Sequence, residues 1–201
     1  MRSTFIIALL LAVALSASTV LAQQVDAFLG AGSAYASSTG QSIDTFGDGT
    51  LYPTPSMGGV FTDFGFNVFL NSQVGVGWTA SWRPAHDYAG LQYRPSFNIF
   101  DAIYQPLKLR TKRSWPEFRA GIGIAAVHFD FDDQQSCDQV PGCPSSHHFL
   151  VNVGVATRLY VTGHVFVRPA VQVHYVNNFF LFGSKWVPQY SLSVGYSFGK
   201  E

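Results

Sequence analysis

Residues 190–198 read Tyr-Ser-Leu-Ser-Val-Gly-Tyr-Ser-Phe, and this stretch decides the fold. Tyr190, Leu192, Val194, Tyr196 and Phe198 are large and apolar, and Ser191, Ser193, Gly195 and Ser197 between them are small. Successive side chains of an extended strand point to opposite faces, so the stretch is a strand with one greasy face. Upstream the pattern recurs. Phe149, Val151, Val153 and Val155 alternate with Leu150, Asn152, Gly154 and Ala156, and Val165, Val167, Val171 and Val173 with Phe166, Arg168, Gln172 and His174. A soluble barrel turns its greasy face inward and coats the other with Lys and Glu. Here the second face is mostly Gly, Ser, Asn and a few Arg, so the apolar face is the one expected to meet lipid and the other to line a hydrated interior.

Composition agrees. Charged residues make up 12% of the 201-residue chain and aromatics 15%, against about 25% charged in ordinary soluble domains. Lys and Arg together number 12, as do Asp and Glu, and this neutral balance gives no electrostatic footprint for a nucleic-acid partner. Beyond the N-terminus no apolar run reaches the roughly 20 residues that a spanning helix needs. A closed barrel is the spanning structure that remains. Residues 1–22 have the form of a cleaved signal peptide: Arg2, an apolar core from Phe5 to Leu15, and Val20-Leu21-Ala22 at the cleavage site. Residues 23–201 form one domain.

Eight strands are expected in order: Val25 to Ala36, Met57 to Leu70, Val74 to Trp82, Leu91 to Tyr104, a fifth from Glu117 to near Phe129, and the three already named. Pro95 inside the fourth argues for a bulge there. Arg158 and Arg168 both belong to the polar face, so the connection Thr162-Gly163-His164 must be odd in length or contain a bulge. Connections 37–56, 83–90, 131–148 and 177–187 fall at one end, and 71–73, 105–116 and 162–164 at the other. The first set is expected outside the cell.

With eight alternating strands, the signal segment and the ending Gly195-Tyr196-Ser197-Phe198, the chain resembles small outer-membrane β-barrel domain proteins of the OmpA/OmpX type over roughly Gln23 to Phe198. The resemblance implies an all-β, antiparallel up-and-down transmembrane barrel in the cell outer membrane, with outer-membrane lipid as its surroundings. It also implies the barrel-assembly machinery as a partner in biogenesis, with Tyr196 and Phe198 as the assembly signal. Gly199-Lys200-Glu201 follow that signal, a departure from a strictly terminal aromatic.

An eight-stranded barrel is just wide enough to be filled by side chains, so a general diffusion pore is not expected. Asp63, Arg94, Glu117, Arg119, Arg158 and Arg168 are the candidate lumenal polar cluster, with Gln172 and His174 beside them. Arg158 and Arg168 face each other across a strand pair, an unfavourable arrangement without compensation, and Glu117 is the expected bridge. A lumenal anion or small-molecule site is the alternative use of these arginines. Cys137 and Cys143 flank a turn-compatible spacer in an exported chain and are expected to form a disulfide. Zinc binding with His147 and His148 is the competing use of the cysteines. Neither cofactor nor metal is expected. Catalysis on lipid would need a nucleophile paired with a His, and His128 and His174 are the strand-associated histidines. Phe179, Phe180, Phe182 and Trp186 in the last long connection are loop contact candidates for an unidentified extracellular ligand, or else members of an aromatic girdle with Trp82, Tyr93, Tyr175 and Tyr190. The leading expectation is a non-catalytic protein with a structural or surface-interaction role. Lys108, Arg110, Lys112 and Arg113 leave two readings open, headgroup contact or solvated turn charges.

Overall fold

A computed structural model of the chain describes residues 24–38, 40–44, 49–54, 56–84, 86–88, 91–131, 146–177 and 184–199. The signal segment, Cys137, Cys143, Phe179, Phe180 and Phe182 lie outside them. Eight long strands form the wall: β1 (Gln24–Ala34), β4 (Phe61–Phe69), β5 (Val74–Trp82), β7 (Leu91–Tyr104), β8 (Ser114–Phe131), β9 (Ser146–Thr162), β10 (Val165–Val176) and β11 (Trp186–Phe198). Each pairs antiparallel with its sequence neighbour in the wall, and pairing of β1 with β11 closes the barrel. Three short strands decorate the long-loop end: β2 (Ser42–Ile43) pairs with β3 (Tyr52–Pro53), and β6 (His86–Tyr88) lies along the start of β7.

Alternation places the side chains as expected in β4, β5, β8, β9, β10 and β11. Phe64, Phe66, Phe118, Ile122, Phe149, Val153, Leu192 and Val194 are exposed on the outer face. The turn between β9 and β10 is the two residues Gly163 and His164, and the register shifts from Val165↔Thr162 to Phe166↔Tyr160. Val161 is therefore the extra residue. This bulge keeps Arg158 and Arg168 on one face.

β7 departs from expectation. Tyr93, Pro95, Phe97, Ile99, Asp101 and Ile103 are buried, and Arg94, Asn98, Phe100 and Tyr104 are exposed. Its faces are opposite to those read from the sequence, and the register runs through Pro95 without a shift. Pairing to β5 stops at Trp82↔Ser96, so Pro95 lies just past the ladder bonds it could not make. Arg94 is accordingly outside the lumen, and Tyr93 is inside rather than in the girdle. The physical reason is strand length. β7, β8 and β9 have 14, 18 and 17 residues, more than the roughly 9–11 that cross a bilayer. Their ends at the long-loop side rise beyond the lipid band, where polar-out and apolar-in becomes the favourable arrangement.

The interior is layered. Toward the long loops, Ala34, Ala36, Met57, Phe61, Tyr93, Phe97, Ile99, Ala125, Val127, Leu150, Val176 and Val187 form an apolar cluster. Toward the short turns, Phe28, Trp115, Tyr160 and Phe166 form an aromatic one. Polar and charged side chains fill the space between, so the interior is packed rather than the hydrated lining expected. Glycines on the inner face make that filling possible. A Cβ on Gly77 would lie 2.5 Å from Asn67 Oδ1 and 2.6 Å from Arg119 Nη2, and one on Gly65 would lie 2.5 Å from Phe28 Cζ. A Cβ on Gly195 would overlap the Phe166 ring. Gly195→Val is expected to destabilise the barrel by about 1–3 kcal/mol through overpacking. Gly58→Val, where a Cβ meets nothing within 4 Å and the backbone is not in the left-handed region, serves as the control, and urea titration of detergent-folded protein with the boiled-versus-unboiled gel shift reads both.

Candidate functional site

Glu117 and Arg119 are two apart on β8 and therefore share its inner face. The pairs Glu117↔Ala156 and Val167↔Leu159 bring Arg158 of β9 and Arg168 of β10 up to the same carboxylate. Arg158 Nε lies 2.6 Å from Glu117 Oε1, Arg168 Nε 3.5 Å from Oε2, and Arg119 Nη1 3.6 Å from Oε2. One carboxylate thus meets three guanidiniums, and its fourth neighbour is the Gln105 amide, which donates to Oε1 at 3.5 Å.

Two aspartates complete the cluster. Arg158 Nη1 donates to Asp26 Oδ2 at 2.5 Å, and Gln24 Nε2 donates to Asp26 Oδ1 at 2.6 Å. Arg119 Nε donates to Asp101 Oδ2 at 3.0 Å, and Asn152 Nδ2 donates to Asp101 Oδ1 at 2.7 Å. Aromatic faces receive the guanidinium planes: Arg158 lies 4.4 Å from the Phe69 ring centroid and Arg168 4.7 Å from that of Phe28. Arg158 and Arg168 are 0% and 1% exposed. Burying such ions is costly unless they are paired and hydrogen-bonded. Mutual compensation is what lets them fill the lumen.

Asp63, grouped with these residues by the sequence, belongs to a separate chain. Gln189 Nε2 donates to Asp63 Oδ1 at 3.1 Å and to Ser81 Oγ at 2.8 Å. With both amide hydrogens so used, Gln189 Oε1 accepts from His174 Nε2 at 2.7 Å, which fixes the tautomer of His174. His174 also stacks on Phe97 at 5.2 Å. His174 thus links the Gln189 amide to the Phe97 ring.

Sequence reasoning missed Asp26 and Asp101. Asp26 lies in a strand of small residues with little contrast between faces. Asp101 was lost with the inverted face of β7, although its apolar neighbours Phe100 and Ala102 on the lipid side were a signal that it points inward. The described loop candidate Trp186 is exposed and meets Tyr175 edge to face at 5.0 Å on the outer wall, as a girdle residue would. Tyr196 and Phe198 are outward, exposed, and in ring contact at 4.7 Å. His128 meets His147 edge to face at 5.8 Å. No group of three or more His, Cys, Asp or Glu side chains suited to a metal occurs among the described residues.

No protein-family model and no curated protein matches this chain. Solved structures do. The N-terminal β-barrel domain of Pseudomonas aeruginosa OprF matches with a TM-score of 0.56 at 17% identity, over 88% of this chain and 98% of that one. Ail, the attachment invasion locus protein of Yersinia pestis, in complex with the heparin analogue sucrose octasulfate, matches with a TM-score of 0.55 at 11% identity, over 87% and 98%. Neisserial surface protein A matches with a TM-score of 0.54 at 15% identity, over 88% and 97%. The fold is that of small eight-stranded outer-membrane barrels.

Glu117→Gln removes the charge that holds three guanidiniums together and is expected to cost about 3–5 kcal/mol, the scale for breaking a buried ion cluster. Combining it with Arg168→Met should recover part of the loss by removing one of the repelling cations. Urea midpoints of the detergent-folded variants measure both effects, and an unchanged midpoint for Glu117→Gln contradicts the bridging role.

Proposed function

We propose that this chain is a non-catalytic barrel of the outer membrane that acts through the surface displayed at its long-loop end. The observation that carries this reading is the filled lumen, where the charged layer is bracketed by an apolar cluster on one side and an aromatic cluster on the other. Such a lumen suits neither general diffusion nor anion capture, because its arginines already face Asp26, Asp101 and Glu117. Short turns lie in the periplasm in barrels of this kind, which directs the long connections outward.

Ail was solved with a polyanion, a ligand that does not suit this chain's outward connections. By sequence, they and the strand ends beside them carry Asp44, Asp48, Asp87, Asp130, Asp132, Asp133 and Asp138 against Arg83, Arg94 and Lys185. A cationic or uncharged partner fits that balance. A second reading, lipid modification, draws support from one feature: a cavity of about 350 Å³ near the long-loop end, lined by Trp82, Arg83, Arg94, Pro95, Ser96 and His128, which brings a hydroxyl and an imidazole to one cleft.

Three measurements test the reading together. An epitope tag inserted in connection 37–56 should be labelled on intact cells, planar bilayers should show no steady porin-like conductance, and lipid A from expressing cells should keep its mass. Altered lipid A that reverts in His128→Ala would instead establish the enzyme.

A further inference from the structure

The connection between β7 and β8 is the longest at the short-turn end, and its composition is one-sided. From Gln105 to Ser114 it holds Lys108, Arg110, Lys112 and Arg113 and no carboxylate. The flanking acids cannot neutralise it, since Asp101 and Glu117 are turned into the lumen and engaged by its guanidiniums. Arg110 lies over the Trp115 ring, 3.3 Å from its centroid. Lys108, Lys112 and Arg113 are exposed and make no ion pair among the described residues.

The same segment exposes two leucines. Leu107 and Leu109, in the 3-10 turn Leu107–Leu109, are 47% and 56% accessible, and none of that turn is buried. Tyr104 and Phe118, paired across β7 and β8, are exposed on the outer wall at the root of this connection. Leu107 follows Tyr104 by only three residues. The backbone is held in place: Gln105 N–H donates to Gln73 O at 2.7 Å, Leu109 N–H to Pro106 O at 3.0 Å, and Tyr160 N–H to Arg113 O at 2.8 Å. Cations and leucines are therefore presented from a fixed frame beside the lipid band.

We propose that this connection is a seat for anionic phospholipid headgroups of the periplasmic leaflet, with Lys108, Lys112 and Arg113 contacting phosphate and Leu107 and Leu109 entering the acyl boundary. The inference rests on the outer-membrane reading above. Alternating leucine and lysine at a membrane edge lets each side chain reach its own medium, the apolar ones downward and the cationic stems outward to phosphate. An acidic periplasmic protein would satisfy the cations but leave the exposed leucines beside the lipid band unexplained.

The test uses the full mature chain folded in mixed micelles with equal phosphatidylglycerol and phosphatidylcholine, and native mass spectrometry counts the lipids retained. Wild type should keep phosphatidylglycerol in preference. K108Q/K112Q/R113Q should lower that preference about fivefold or more, given roughly fivefold per basic residue near an anionic surface. A spin label on Leu109→Cys in vesicles should be relaxed by oxygen rather than by a water-soluble nickel complex. The proposal is overturned by equal retention of the two lipids in wild type, by an undiminished preference in the triple variant, or by a label relaxed chiefly by nickel. The boiled-versus-unboiled mobility shift is run on every sample. Its presence with any of those results removes the lipid seat alone, and its absence in wild type removes the barrel reading with it.

Discussion

Closing eight strands leaves a channel about as wide as the side chains that line it, and everything inside this barrel follows from filling that space with three arginines around Glu117. Arginine is long enough to cross the lumen, but a bare guanidinium there carries a large desolvation cost. Glu117 alone cannot balance three cations, so Asp26 and Asp101 complete the set from opposite directions. Space is supplied by glycine. Gly77 leaves room for the Arg119 guanidinium, and Gly121 stands against Asp101. Charges on β1, β7, β8, β9 and β10 are thereby tied to one another across the lumen, so the wall is cross-linked internally as well as by its ladder.

Above that layer the barrel changes character. Its outer face is apolar around the charged core and turns polar along the upper part of β7, at Asn98 and Arg94, while the inner face turns apolar at Phe97, Ile99, Phe61 and Leu150. The two media explain the inversion: lipid requires an apolar exterior at one height, and water requires an apolar interior at the other. Tyr93 fastens the mouth by donating to Ser56 O at 3.0 Å and accepting from Arg83 Nη1 at 3.3 Å. Met57 packs into the apolar cluster and bridges to Ala36. The first long connection is thus seated on the barrel at its far end.

This division sets what the sequence could reveal. Strands that stay within the lipid band, such as β5 and β11, show period two in full, because one environment governs each face from end to end. An irregularity between β9 and β10 was also legible, as an odd-length turn or a bulge, since two arginines of a membrane strand pair must share the inner face; its place at Val161 was not. β7 was not, because its faces exchange polarity partway along and a single period averages the two regimes; Arg94 was misplaced and Asp101 missed for that reason. The short strands β2, β3 and β6 owe their existence to pairing within or onto other segments rather than to any pattern of their own. Which carboxylate meets which guanidinium is set by register across five strands, information that no single strand contains.

A filled, internally compensated lumen contributes little to the field outside the protein. The lumen's described charges, four carboxylates against three guanidiniums, nearly cancel, so the surface potential is governed by the two rims. Those rims differ: the long connections are rich in aspartate, and the connection between β7 and β8 carries four basic residues without an acid. Charge at a rim acts over about a Debye length, roughly 8–10 Å at physiological salt, which is less than the thickness of the bilayer core between them. The two rims therefore present fields that are independent of each other. The ion cluster lies in the core and the net charge at the two edges, so charge substitutions at either edge can alter the potential there without loosening the cluster that holds the barrel shut.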